Sequence, residues 1–306
     1  MKTSIAICTY NGEKFIKEQL DSILEQTVQV DEIIVCDDHS TDQTQEILAE
    51  YHSKLPEVFK IHYNEKPLGV IKNFEKAVNL CQNEIIFLCD QDDLWKPNKV
   101  ETVLCYFKNN PDKEAVFHDL ELLENDNILK SSNWESIYFL PENTDGISVQ
   151  HYLFLFGNIA TGASFAFRNP KKKWNFNASS VLLLHDYQLA MHFAAANTLG
   201  FVDEKLGVYR LHDNQQVGTD QNNRQKRKEI YDTFVNSSNL EKLKYYEAKS
   251  KYWKGKLNPD DEKNIIKFIE RETDILKRKH LQSLTLIERN YTSFYWALTN
   301  KFQIKT

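Results

Sequence analysis

Short apolar runs alternate with amphipathic stretches along the first third of the chain. Ser4–Cys8 (SIAIC) reads as a buried strand. From Glu13 to Gln26, Phe15, Ile16, Leu20, Ile23 and Leu24 recur at helical spacing. Glu32–Cys36 predicts a second strand. Ser40 and Thr41 offer hydroxyls that can cap a helix reaching about Tyr51. Val58–Tyr63 predicts a third strand, Asn64–Gly69 a loop, Val70–Cys81 a helix and Glu84–Cys89 a fourth strand. After Trp95-Lys96-Pro97 a helix runs to about Asn109, and a strand Ala115–His118 ends at Asp119. Residues 120–150 read as polar and irregular. Asn158, Thr161 and Gly162 lie between aromatic runs, a helical stretch follows His185-Asp186, and a strand lies near Leu199–Val202. This alternation implies an α/β fold, with a mainly parallel, twisted, Rossmann-like sheet and flanking helices. Such sheets bind ligands beyond the carboxyl ends of their strands. Polar clusters follow three of the first four strands: Thr9-Tyr10-Asn11, Asp37-Asp38 and Asp90-Gln91-Asp92-Asp93.

Composition narrows the picture without naming a chemistry. The 306 residues are 41% hydrophobic and 27% charged, which excludes a disordered chain or a disulfide miniprotein. No apolar run approaches the ~20 residues of a membrane span. Met1-Lys2-Thr3 leads straight into the first strand, so no leader is expected. The five cysteines are odd in number and none is spaced CxxC, which fits reduced thiols in a cytoplasmic protein better than a disulfide or zinc framework. The net charge of −6 conceals an asymmetry. Residues 221–306 carry 19 basic and 11 acidic side chains, and residues 1–220 carry 19 and 33. The chain is therefore divided into an acidic α/β domain at 1–220 and a basic, helical C-terminal extension at 221–306. Asn258-Pro259-Asp260-Asp261-Glu262 is a strong helix start within that extension. The basic tail reads first as a solvated helical face. Its alternatives are docking to an anionic membrane surface or a homodimer contact, with Tyr291, Phe294, Tyr295, Trp296, Leu298 and Phe302 as apolar anchors. Nucleic acid is not expected as a partner.

The carboxylates of Asp90, Asp92 and Asp93 gather at one strand end, where like charges repel; they read either as a solvated loop with helix-capping aspartates or as a site at which a divalent cation removes that repulsion. Their hard oxygens suit Mg²⁺ or Mn²⁺. Asp37 and Asp38 read either as a turn with a helix cap or as acceptors from a base N–H or a ribose hydroxyl. Asp186 follows the apolar Val181–Leu184, where a carboxylate can have a raised pKa and act as a general base; it also reads as a helix cap, and both can hold. Arg210 and His212 point the same way on an extended segment, as a phosphate partner and a metal ligand or as a surface ion pair and an ordinary histidine. Thr9–Gly12 lacks the GxGxxG and GxxxxGKT patterns, which disfavours a nicotinamide site and a P-loop.

Taken in order, Cys8–Gly12, Glu32–Asp42, Asn64–Gly69 with Asn73, and Phe87–Pro97 resemble the inverting glycosyltransferases of family 2, which have the GT-A fold. Thr161–Ser164, His185-Asp186 and Tyr209–Asn214 (YRLHDN) resemble its bacterial rhamnosyltransferase-like branch. The resemblance spans roughly residues 3–218 and implies a role for each matching position. Thr9, Tyr10 and Asn11 would line the nucleotide pocket. Asp38 would meet the base with Asp37 nearby, and Lys72 and Asn73 would approach the nucleotide or diphosphate. Asp90, Asp92 and Asp93 would form a DxD-type motif, with Asp92 near the ribose or metal and Asp93 the leading metal ligand. Asp119, Gly162, His185 and Arg210 would contact substrate. Asp186 would be the catalytic base, and His212 would approach the metal or diphosphate. The branch often has an aromatic pair after His-Asp, whereas this chain has Tyr187-Gln188.

The expected function is metal-dependent, inverting transfer of a sugar from a nucleoside diphosphate to a saccharide or lipid-linked acceptor in bacterial surface polysaccharide synthesis. The resemblance points to dTDP-L-rhamnose as donor, with a UDP-hexose as the alternative. A sugar nucleotidyltransferase would want a glycine-rich basic loop that Thr9–Gly12 does not supply. A non-catalytic binding protein with the same fold is the remaining alternative.

Overall fold

The computed structural model describes residues 1–143, 147–178, 183–212, 221–257, 259–283 and 292. Val181, Asp213, Asn214, the Asn258 cap and the six aromatic and apolar anchors from Tyr291 to Phe302 lie outside the described residues. No helix among the described residues is long and apolar enough to cross a membrane.

The first half follows the alternating pattern: β1 (Thr3–Thr9), α1 (Ile16–Leu24), β2 (Glu32–Asp37), α2 (Thr44–Lys54), β3 (Phe59–Tyr63), α3 (Val70–Leu80), β4 (Ile85–Cys89), β5 (Leu94–Trp95) and α4 (Lys99–Asn109). There follow β6 (Ala115–Glu124), β7 (Asn127–Ile128), α5 (Asn133–Ser136), α6 (Val149–His151), β8 (Phe165–Arg168), α7 (His185–Ala195), β9 (Leu199–Leu211), α8 (Gln221–Asn236), α9 (Asn239–Trp253) and α10 (Pro259–Ser283). The sheet order is β3-β2-β1-β4-β8-β6-β9-β5, with β7 paired to β6. The strands β1 to β4 are parallel, and Thr9 lies opposite Asp37 at their carboxyl ends. Their inward residues Ile5, Ile7, Ile33, Val35 and Phe87 are fully buried with Leu20 and Ile23 of α1, and each contributes roughly 1.5–3 kcal/mol.

The second half is less regular. The short aromatic strand β8 is antiparallel to both β4 and β6, and β5 is antiparallel to β9, so the sheet is mixed. Periodicity cannot identify β8, because four consecutive residues carry too little pattern. Nor is 120–150 irregular throughout. β6 runs on to Glu124, and Trp134 and Phe139 pack edge-to-face at 4.8 Å against each other and within 5.6 Å of Phe117. The helix predicted from Ser40 and Thr41 begins instead at Thr44. The Ser40 hydroxyl is engaged with Asp37, and Asp42 Oδ1 accepts from Thr44 N at 3.0 Å.

Two compact units, Met1–Lys228 and Glu229–Thr306, divide the chain eight residues beyond the boundary expected from charge. The first turns of α8 belong to the larger unit because Arg224 donates to the Glu135 carbonyl and Arg227 to the Asn158 carbonyl. Within the smaller unit, Leu243, Tyr246 and Trp253 of α9 and Ile265 and Ile269 of α10 are buried. A capping box of Ser238 and Glu241 starts α9.

Candidate active site

A cavity of about 1000 Å³ opens at the carboxyl ends of β1, β2 and β4. Its lining includes Thr9, Tyr10, Asn11, Asp38, Asn73, Asp90, Asp92, Gly162, His185, Asp186 and His212, which the sequence had placed in separate motifs. The two sides of this wall are built differently.

On the first side Asp38 is the organiser. Its Oδ1 accepts from Asn64 Nδ2 at 2.8 Å and Leu68 N at 2.7 Å, and its Oδ2 accepts from Gly69 N at 2.8 Å. Gly69 has φ +79°, a left-handed conformation that glycine adopts without strain. The carboxylate thus folds the 64–69 loop into place beside α3. Asn73 ties the same region together through Asn64 Nδ2 at 2.9 Å and the Cys36 carbonyl at 2.8 Å. Asn11 takes φ +48° and accepts from Thr41 N, while Tyr10 stands 52% exposed as a flat surface at the rim. Gln91 accepts from Tyr10 N and donates to its carbonyl, clamping the β1 loop to the β4 loop.

On the second side the acids and imidazoles gather. His212 Nε2 lies 2.9 Å from Asp92 Oδ2. Asp90, in a desolvated setting beside the charges of Asp92 and Asp186, has its pKa pushed up to about 8. Asp186 lies in the first turn of α7. Its Oδ1 accepts from Tyr187 N at 2.7 Å and its Oδ2 from Gly162 N and Asn158 Nδ2, both at 3.0 Å. Burial raises its pKa to about 6, against the opposing effect of those three donors. His185 stacks on Phe74 with centroids 3.7 Å apart, and neither ring nitrogen has a protein partner. Burial drives its pKa down to about 3, so the ring is neutral at physiological pH.

A further group lies behind the acids. Lys99 is buried over the Trp95 ring at 3.9 Å and donates to the Ala163 carbonyl at 2.7 Å, which holds the turn carrying Gly162. Desolvation lowers its pKa to about 8 while Cys89, Asp93 and Asp90 oppose that shift.

Five sequence candidates do not line the cavity. Asp37 is fully buried and saturated by Thr9 Oγ1, Ser40 N and Oγ, and Gln45 Nε2, so it braces the β1 and β2 ends. Lys72 is turned to Glu75 at 2.7 Å and the Phe176 carbonyl at 2.9 Å. Asp119 Oδ1 accepts from Leu120 N and Trp134 N, fixing the start of α5. The Arg210 guanidinium reaches back to Glu18 and the Asp92 carbonyl. Asp93 is 2% exposed; its Oδ1 accepts from Arg210 N and its Oδ2 is buried without a partner.

That unpartnered oxygen, and the desolvation and neighbouring charges that raise the pKa of Asp90, fit the binding of a cation. Hard carboxylate oxygens beside an imidazole suit Mg²⁺ or Mn²⁺. Among the described residues no group of three acidic, histidine or cysteine side chains converges into a ready-made cage. An ion here therefore needs oxygens from water or a phosphate, as Mg²⁺ ordinarily does.

Sequence reasoning did not single out Phe74, Asn133, Ser136, Lys99 or Arg227. Arg227 carried no signal at all, being one of 19 basic residues in the tail.

The mixed sheet with its flanking helices is the GT-A glycosyltransferase fold. The solved structures of residues 1–349 of Staphylococcus aureus TarS with UDP-GlcNAc and of the mannosyltransferase PcManGT of Pyrobaculum calidifontis with GDP-Man and Mn²⁺ superpose with TM-scores of 0.56 and 0.55. Their identities are 17% and 15%; they cover 94% and 97% of this chain, which covers 78% and 80% of theirs. Residues 4–163 match the family model of glycosyl transferase family 2, and the chain belongs to that family. It is 30% identical over 230 residues to the dTDP-rhamnosyl transferase RfbG of Shigella flexneri, covering 69% of this chain and 73% of that protein. An uncharacterized protein of Mycobacterium tuberculosis is 26% identical over 212 residues, 68% of this chain and 58% of its own length. The chain thus spans less than two thirds of some of the curated relatives it matches.

Proposed function

We propose that the protein is a nucleotide-sugar-dependent glycosyltransferase that inverts configuration by a single displacement, with Asp186 as general base. One observation carries the reading: a buried carboxylate with a pKa near 6 shares one cavity with the Asp38 loop and the Asp90–Asp92–His212 cluster. Asp186 is ionised at neutral pH, yet desolvated enough to accept a proton. Asn158, Gly162 and Tyr187 fix its orientation, so it can remove the acceptor hydroxyl proton as that oxygen attacks the anomeric carbon. Asp38 and the 64–69 loop form the nucleotide end, with Thr9, Tyr10 and Asn11 against the base and ribose. His185, neutral and unpartnered, offers a donor and an acceptor nitrogen to sugar hydroxyls. Asp92 and His212 would hold Mg²⁺ or Mn²⁺, with Asp93 behind them. When bound, the cation neutralises charge on the departing diphosphate.

The resemblance and RfbG together support dTDP-L-rhamnose as the donor and a growing bacterial surface polysaccharide as the product. A UDP-hexose is the second reading, favoured by the UDP-GlcNAc bound to TarS. Thermal unfolding with dTDP, UDP, GDP and CDP, each with and without Mn²⁺, tests the nucleotide end. A nucleotide at 100 times its Kd stabilises by about 2.7 kcal/mol. We expect one thymidine or uridine nucleotide to give a metal-dependent shift, and no shift with any nucleotide would overturn the transferase reading.

A further inference from the structure

Beside Asp186, the cavity wall contains polar groups that the donor and the base leave unused. Asn133, in α5, is fully buried and lines the cavity, yet neither its amide nitrogen nor its oxygen has a partner. A buried amide left in this state costs roughly 1–3 kcal/mol, so it marks a place for a ligand. Ser136, one turn further, lines the same wall. Arg227 lines it too, from α8. Its Nη1 donates to the Asn158 carbonyl at 3.0 Å and the Ile137 carbonyl at 3.5 Å. Among the described residues no carboxylate pairs with this guanidinium and nothing accepts from Nε or Nη2. Burial pulls its pKa below the usual arginine value, against an opposing effect of Tyr187. A partly buried guanidinium facing only carbonyls is incompletely compensated.

The position of these groups says which substrate they face. Arg227 is bonded to the residue whose side chain holds Asp186, since Asn158 Nδ2 donates to Asp186 Oδ2. In a single displacement the acceptor arrives on the side of the general base. The Asp38 loop and the Asp92–His212 pair are built from β2, β4 and β9, whereas Asn133, Ser136 and Arg227 come from α5 and α8.

We propose that Asn133, Ser136 and Arg227 form the acceptor subsite, and that it selects a saccharide bearing an oxyanion close to the accepting hydroxyl. The Asn133 amide pairs with a sugar hydroxyl in both directions, and the planar Arg227 fork pairs with a phosphate ester or a carboxylate. This rests on Asp186 being the base, and gives the acceptor a chemical class.

Ligand-observed NMR titration of the full chain tests it with three probes: galactose 1-phosphate, galacturonic acid and methyl galactoside. Each is titrated with and without saturating nucleoside diphosphate and Mn²⁺. At least one anionic probe is expected to bind about tenfold tighter than the neutral one, the scale of one charge-assisted hydrogen bond. A preference for the phosphate identifies a phosphate-bearing acceptor, and a preference for the uronic acid an acidic sugar. Arg227→Met should abolish the preference and Arg227→Lys should retain part of it, with nucleotide binding unchanged in both. Should Arg227→Met fail to fold, Asn133→Asp places a like charge beside the anion and should also remove the preference. Equal binding of all three probes, no binding of any, or a preference that survives both variants overturns the proposal. Failure of wild-type protein to bind nucleotide overturns the donor assignment separately, because the nucleotide-free titrations still report on Arg227.

Discussion

Asp38, where β2 enters the cavity, commits three of its lone pairs to the protein itself, whereas His185 and Asn133 commit none of their side-chain nitrogens or oxygens. The difference runs through the whole wall. The β1–β2 side is completed by its own hydrogen bonds: Asp37, Asp38, Asn64 and Asn73 hold loops in shape before any ligand arrives. The side built from α5, α7 and the β4 end leaves Asn133, His185 and Asp93 Oδ2 unsatisfied and raises the pKa of Asp90 and Asp186. The first is a preformed cradle. The second is a set of groups under electrostatic and desolvation stress, which is the state catalysis uses.

Replacing Asp186 by Asn breaks the comparison most severely. Transfer should fall about 10²–10⁴-fold, the usual scale for a general base. Nucleotide binding, measured by melting shift, should survive, and unchanged transfer would sink the assignment. In the wild type, transfer should rise with pH through about 6 and then level off as the Asp186 carboxyl ionises. On the cradle side, Asp38→Ala removes the acceptor for Leu68 and Gly69 N–H groups. It should weaken nucleotide binding and lower stability by about 2–3 kcal/mol, because several charge-assisted hydrogen bonds fail together.

Asp90→Asn should act in the opposite direction on stability. A carboxyl whose pKa is raised on folding contributes stability below its unfolded pKa and loses it as pH rises through the folded value. For Asp90 that window runs from the ordinary carboxylate range to about 8. The ligand-free variant should therefore be more stable by about 1 kcal/mol above pH 8, with a smaller gain near pH 5. Melting curves across pH check this, and an unchanged or lowered melting temperature at pH 8 would remove the claim of stress. The smallest effect belongs to Glu18, whose ion pair with Arg210 lies on the surface with Glu18 60% exposed. Glu18→Gln should change stability by less than ~1 kcal/mol and leave the Arg210 Nε bond to the Asp92 carbonyl in place.

The contrast also separates what could be read along the chain from what could not. SIAIC, EIIVC and EIIFLC announced buried parallel strands because a strand covered on both faces is apolar at every position. The clusters after those strands were legible because a parallel sheet places all its carboxyl ends at one edge. Glycosyl transferase family 2 membership was visible for the same reason: the matched motifs are local strings. Whether a given acid faces the cavity was not legible. Asp37 and Asp38 are neighbours, yet one is sealed beneath Thr9 and Ser40 while the other lines the wall. Side chains alternate along a strand, but β2 ends at Asp37, so the local string does not say which of the two acids faces the cavity.

Sequence alone thus determined the parallel core, the edge where ligands gather and the residue types available there, since these follow from periodicity and short-range order. Tertiary structure decided the rest. The antiparallel β8 between β4 and β6, the stacking of His185 on Phe74, the donors around Asp186 and the arrival of Arg227 from α8 all join segments far apart in the chain. Burial and partner count set whether a polar side chain is a brace or a reactive group, and both are properties of the packed chain rather than of its local sequence.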